Sequence, residues 1–213
     1  MKYLKIINTG IVISLLTLTG CNDDALSNNS ATLSYINALE KQVSFYAKMS
    51  SDSKSVYDSK HRVTTLVKGE HSDEIKHKWF SIQDSVIAVE DANSRDEQVS
   101  IRYRLKDDRN YWSVAWLNSD KYKLSLLRKA PSNRDGLYRV RIFANDELDV
   151  YQGDNTVKLL TTKTGEVSDY LSLDKCTDLI IEENTIDLCS GDFGHSYLLV
   201  VNSKGLIVMA EEH

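Results

Sequence analysis

Cys176 and Cys189 carry the most definite chemistry in this 213-residue chain. Partners in an antiparallel hairpin share a constant index sum, and these two centre a turn between Glu182 and Glu183. That turn falls between Leu179-Ile180-Ile181 and Thr185-Ile186-Asp187-Leu188, two short apolar runs that read as strands. A cross-strand disulfide is expected, adding roughly 3 kcal/mol in the loop-entropy model. Free structural thiols or a metal pair are the weaker readings, since no set of further Cys or His ligands accompanies them. Of five histidines only His71 and His77 lie close together. Their spacing does not put both on one helical turn, as the i, i+4 spacing of zinc-binding helices does, and they read as solvated surface. Asp192-Phe193-Gly194 matches a kinase triplet without the other loops of a kinase, so it reads as a loop between strands. There is no Gly-x-Ser-x-Gly and no phosphate-cradling glycine loop, and 31 acidic residues pair by chance too readily to name a glycosidase dyad. No residue is nominated as catalytic, and no metal or cofactor is called for.

Charge is the other feature above background. Residues 98–141 hold 11 basic against 4 acidic residues, whereas residues 142–213 hold 4 basic against 14 acidic. Arg102, Arg104, Arg139 and Arg141 alternate outward on two expected strands, and would form a patch for phosphate or carboxylate if those strands are neighbours. Trp112 and Trp116 share a strand face with Val114; they read as core, with an interface anchor as the sharper alternative. The bland account of the segregation is neutralisation across the surface. The functional account is steering of an oppositely charged partner.

The elements that would hold these residues are mostly strands. From Gln98 the chain alternates apolar and polar positions, as in Val99, Ile101, Tyr103 and Leu105 against Ser100, Arg102 and Arg104. Further runs recur at Tyr111 to Leu117, Tyr122 to Arg128, Leu137 to Phe143 and onward to Leu206 to Ala210, each bounded by turn residues. Residues 63–67 form an earlier strand, and 72–92 divide into strands at 77–82 and 86–91 in preference to a helix. Asp154 to Leu160 with Lys163-Thr164-Gly165-Glu166 looks like the end of a propeller blade, but no 40-residue period repeats it, so a hairpin is expected. Leu33, Ile36, Leu39, Val43, Tyr46 and Met49 are spaced by threes and fours and predict an amphipathic helix over 32–50, which could also pair with a second copy. The expected fold is mainly β (α+β): an antiparallel β-sandwich or barrel-like meander with an N-terminal amphipathic helix and one hairpin disulfide, forming a single domain over 32–213.

The first 20 residues have a basic head at Lys2 and Lys5, a short apolar run to Leu18, and Thr19-Gly20 ahead of Cys21. The run is broken by polar residues and is too short to span a bilayer. Leu18-Thr19-Gly20-Cys21 resembles the lipobox of bacterial lipoproteins. The resemblance implies removal of residues 1–20, diacylglyceryl attachment at Cys21, and, with Asn22 rather than Asp following it, a position on the outer membrane facing the periplasm. Assigning Cys21 to lipid leaves Cys176 and Cys189 as a balanced pair in an oxidising compartment. Residues 21–31 read as a flexible tether. Without the leader the chain holds 24 basic and 31 acidic residues, a net of −7, which argues against a nucleic-acid partner. The expected function is non-catalytic binding of another protein, as an immunity or inhibitor protein against an envelope-targeting toxin or hydrolase. An accessory subunit of an envelope secretion or pilus machine, or an enzyme acting on envelope polymer or lipid, are the alternatives.

Overall fold

The computed structural model describes residues 28–80, 82–153 and 157–213. The leader, Cys21 and the tether as far as residue 27 lie outside the described residues. Chain order gives β1 (Asn28–Asn37), β2 (Val43–Met49), β3 (Arg62–Leu66), β4 (Ile75–Phe80), β5 (Ser85–Asp91), β6 (Gln98–Tyr103), β7 (Asn110–Asn118) and β8 (Lys121–Arg128). They build two four-stranded sheets, β4-β1-β7-β8 and β3-β2-β5-β6, antiparallel throughout except for the parallel pair β1/β7.

The remaining strands are β9 (Tyr138–Ala144), β10 (Asp149–Gln152), β11 (Val157–Thr161), β12 (Leu171–Leu173), β13 (Leu179–Ile181), β14 (Asn184–Ile186), β15 (Ser196–Asn202) and β16 (Gly205–Glu211). Their sheets are β12-β9-β15-β16 and β11-β10-β13-β14, again antiparallel except for one parallel pair, β9/β15. Adding eight to every label of the first half reproduces the second. Register agrees as well: Leu33 lies beside Tyr111 as Val140 lies beside Tyr197. The fold is therefore an internal repeat of an eight-stranded sandwich.

The repeat reaches down to single hydrogen bonds. Gly69-Glu70-His71-Ser72-Asp73 and Gly165-Glu166-Val167-Ser168-Asp169 occupy equivalent loops. Both glycines have positive φ, +77° and +73°, and donate to the carbonyls of the equivalent residues Asn37 and Ala144, at 3.0 and 2.8 Å. Ser72 Oγ accepts from the Tyr35 amide and donates to the Asp73 carbonyl, and Ser168 Oγ does the same with Ile142 and Asp169. The passage resembling a propeller blade thus ends in one copy of a loop whose other copy lies in the first half.

Three apolar layers hold the four sheets together. Leu33, Tyr35, Phe45, Trp79, Ile87 and Val89 fill the first sandwich, and Val140, Ile142, Val150, Leu179, Ile181 and Leu199 the second. Between them, Ile36, Trp112, Val114 and Trp116 pack against Phe143, Leu198, Val200, Val208 and Ala210. The same face of each repeat is used, Ile36 being equivalent to Phe143 and Val114 to Val200, so the contact is the single-chain counterpart of an isologous dimer interface.

This middle layer explains the main correction. Residues 32–50 are not a helix but most of β1, a turn, and β2. Strand β1 is buried on both faces, Leu33 and Tyr35 toward one layer and Ile36 toward another, which removes the polar alternation of a half-exposed strand and leaves a spacing that imitates a helix. Asn37 shapes the turn: its buried amide donates to the carbonyls of Lys41 and Leu66 and accepts from the Leu39 amide. Residues 28–31, expected in the tether, are strand. Elsewhere strands are found where expected, with 75–80 and 85–91 dividing the 72–92 stretch, and one short 3-10 turn at Ser59–His61. The Cys176–Cys189 disulfide is present, flanking the β13/β14 hairpin in the anticipated register of Leu179 with Ile186.

Gly165 gives a sharp mutational test of the middle layer. A Cβ there would lie 2.5 Å from Trp116 Cζ2 and 2.7 Å from Cη2. At Gly69 it would meet nothing closer than the Ile207 carbonyl oxygen at 3.3 Å. Gly69→Ala should cost about 1–2 kcal/mol for the left-handed backbone, and Gly165→Ala about 1–3 kcal/mol more for overpacking. Urea denaturation of the two variants reads the difference directly.

Candidate functional site

The four arginines do not form one patch. Arg102 is exposed on β6, and Arg104 just beyond it sets its Nε 3.0 Å from Asp84 Oδ1. Arg139 and Arg141 belong to β9, in a sheet separated from that of β6 by the whole β4-β1-β7-β8 layer. Arg139 is half-buried, bonds Ser132 and Ser172, and lies 5.0 Å from the Tyr170 ring centroid. Arg141 is buried. Trp112 and Trp116, 2% and 6% exposed, are core residues rather than interface anchors. The reason is common to all three: β7 and β9 are covered on both faces, so positions that would face water in a two-layer sandwich face the other repeat.

What the repeat junction contains instead is a polar network. Glu212, fully buried, accepts from Arg141 Nε at 3.2 Å and from Arg141 Nη2, from the Tyr170 hydroxyl, and from Trp112 Nε1 at 3.3 Å. Arg141 Nη2 also donates to the Arg128 carbonyl across the junction. Burial, with the Glu212 carboxylate beside it, drives the Tyr170 hydroxyl well above its ordinary pKa, so it stays a donor. Lys129 is the repeat equivalent of Glu212: its amide donates to the Asn110 carbonyl as that of Glu212 donates to Ser196, both at 2.8 Å. Its side chain is 1% exposed, lies 2.7 Å from Glu74 Oε1 and sits 4.1 Å from the Trp112 ring centroid. A lysine and a glutamate related by the repeat thus approach the same tryptophan. The basic and acidic stretches of the sequence meet here, since Arg141 comes from one and Glu212 from the other.

Beside Lys129 the junction opens into a cleft of about 350 Å³, floored by Ser34 and Trp112 and walled by Asp73, Glu74, Asp192 and Glu211. No family model matches the chain, and no curated protein does. The cleft draws on both repeats, with Ser34, Asp73 and Glu74 from the first and Asp192 and Glu211 from the second. His71, exposed at its rim, packs perpendicular to the Trp112 ring with centroids 6.1 Å apart. His77 is not plain surface: it stacks on Trp79, its Nε2 lies 2.9 Å from Ser85 Oγ, and burial lowers its pKa. Asp192-Phe193-Gly194 is a loop between β14 and β15 that supplies one wall. Among the described residues no group of three or more His, Cys, Asp and Glu could hold a metal ion, and no helix is long and apolar enough to cross a membrane.

Glu211 also organises the rim. His195 Nδ1 lies 2.5 Å and His213 Nδ1 3.5 Å from its Oε1. The hydrogen bond with Glu211 raises the His195 pKa above 6.5, with burial opposing. The proton is held more tightly in the folded state, so the stabilisation is complete below 6.5 and is lost as pH rises through the raised value. In a proton NMR titration His195 should turn over above 6.5 and His77 below it, and Glu211→Gln should bring His195 down while leaving His77 unmoved.

Lys129, Glu74, Glu212, Ser34 and Tyr170 were not singled out from sequence. The available signal was Gly-Glu-x-Ser-Asp at Gly69 and Gly165, a repeat of 96 residues that superposes Glu74 on Tyr170 and marks the residues after each loop as paired sites.

Proposed function

We propose that this chain is exported as a lipoprotein anchored through Cys21, and that its mature domain binds another protein without catalysing a reaction, as an immunity or inhibitor protein against an envelope-targeting toxin or hydrolase. The observation that carries the reading is the junction cleft. Its acceptors are held by the repeat scaffold before any partner arrives, and preorganisation of this kind raises affinity by lowering the ordering cost of association. The strongest ionic groups nearby are already engaged with one another, Lys129 with Glu74 and Arg141 with Glu212, so they serve to hold the shape. Export is supported by the leader and by the Cys176–Cys189 disulfide, a bond that persists in oxidising compartments.

Inhibition is the test. The mature domain should abolish the activity of a purified envelope hydrolase or toxin encoded beside its gene at one-to-one stoichiometry. Undiminished activity in large molar excess of the domain overturns the immunity reading. Loss of acyl labelling in Cys21→Ser tests the anchor separately.

A further inference from the structure

The repeat shows which position in the fold the cleft occupies. Ser34 and Arg141 are equivalent positions, one residue beyond Leu33 and Val140 on β1 and β9. In the second repeat the Arg141 guanidinium fills the space bounded by Glu212, the Tyr170 ring and the Arg128 carbonyl. The equivalents of those three are Lys129, Glu74 and the Glu211 carbonyl. Ser34, Lys129, Glu74 and Glu211 are all cleft residues. The cleft therefore lies at the position equivalent to the Arg141 site, with serine in place of the arginine, Lys129 in place of Glu212 and Glu74 in place of Tyr170.

Two further observations fix the character of a guest. Ser34 Oγ, on a residue 1% exposed, has no hydrogen-bond partner among the described residues, and an unpaired buried hydroxyl is costly enough to be uncommon. Of the wall carboxylates Glu74 is matched by Lys129 and Glu211 lies against His195 and His213, so the excess negative charge of the walls is that of Asp73 and Asp192.

We propose that the cleft is a socket for an arginine side chain presented by a partner protein. The guanidinium would enter between the repeats and donate to Ser34 Oγ and to the carboxylates of the walls; Lys129, which stands where Glu212 stands in the other repeat, stays paired with Glu74, so the acceptors differ from those of Arg141. A planar group with five donors suits several acceptors around a rim better than a point-charge ammonium does. This proposal rests on the protein-binding reading above and names the side chain through which the partner is held.

The test uses N-acetyl-arginine methylamide as probe, with its citrulline and lysine counterparts, and follows the Trp112 indole N–H by NMR with the Trp116 indole as internal reference. The arginine probe should shift Trp112 saturably and bind roughly tenfold more tightly than the neutral citrulline probe, given the greater strength of charge-assisted hydrogen bonds. Ser34→Arg, which fills the cleft as Arg141 fills its counterpart, should abolish the shift. Asp73→Asn, which leaves the loop bonds of the Asp73 backbone intact, should weaken it and keeps the test decisive if Ser34→Arg does not fold. An unmoved Trp112, equal binding of arginine and citrulline probes, or binding undiminished in both variants overturns the socket. A socket that takes the probe beside a failed inhibition assay removes the immunity function alone.

Discussion

Replacing Glu212 with alanine should destabilise the protein by about 3–5 kcal/mol, the cost of leaving a buried charge without its partner. The side chain is fully buried and is the common acceptor for Arg141, Tyr170 and Trp112. Its loss strands a guanidinium whose remaining bond at the junction is to the Arg128 carbonyl. The Tyr170 hydroxyl keeps an acceptor in the Ala130 carbonyl, so the penalty falls on Arg141 and on the buried Trp112 indole N–H. Arg141→Met combined with Glu212→Met should recover most of the loss, because removing both ions also removes their desolvation cost. Urea denaturation of Arg141→Met, Glu212→Met and the double variant closes the cycle and gives the coupling energy. A small effect of Glu212→Ala would mean that water reaches Arg141 and that the junction is not a closed layer.

Phe143→Ala is the second large expected effect, at about 3–5 kcal/mol for deleting a buried aromatic side chain. Phe143 is completely buried, and its ring meets that of Trp116 edge to face at 5.7 Å. It lies in the layer between the repeats, beside Ile36, Val114 and Val200, and outside the core of either sandwich. The cavity would therefore open between two halves that each keep their own apolar filling. A comparable deletion within one sandwich, Ile181→Ala, is expected to cost about 2–5 kcal/mol. A loss under 1 kcal/mol at Phe143 would show that the repeats barely depend on their shared face.

Much of the sandwich was legible because its outer strands are half-exposed. Strand β6 alternates as a one-sided strand should, and the β13/β14 hairpin announced its register through two cysteines. Strands β1, β7 and β9 hid their roles for the opposite reason. Each is covered on both faces, so Leu33 and Ile36 mimicked a helix and Arg141 read as outward, whereas Trp112 and Trp116 are core as their shared face with Val114 suggested. Charge pattern pointed to the right residue types in the wrong place: the basic and acidic stretches meet in a buried pair, Arg141 with Glu212. The site itself depends on residues distant in sequence, Ser34 with Glu211 and Lys129 with Glu74, which only the duplicated topology brings together.

The most direct measurement is site-specific photo-crosslinking in living cells. A photoreactive amino acid at His71, on the rim of the cleft, should give one discrete adduct with an envelope protein. The same group at Val157, exposed on the edge strand β11 of the outermost sheet, should give none. Asp73→Asn should weaken the His71 adduct, and Ser34→Arg, compared at equal amounts of folded protein, should erase it. Adducts formed from position 157 and not from 71, or an adduct from 71 that persists in Ser34→Arg, would contradict the account and place the binding surface elsewhere.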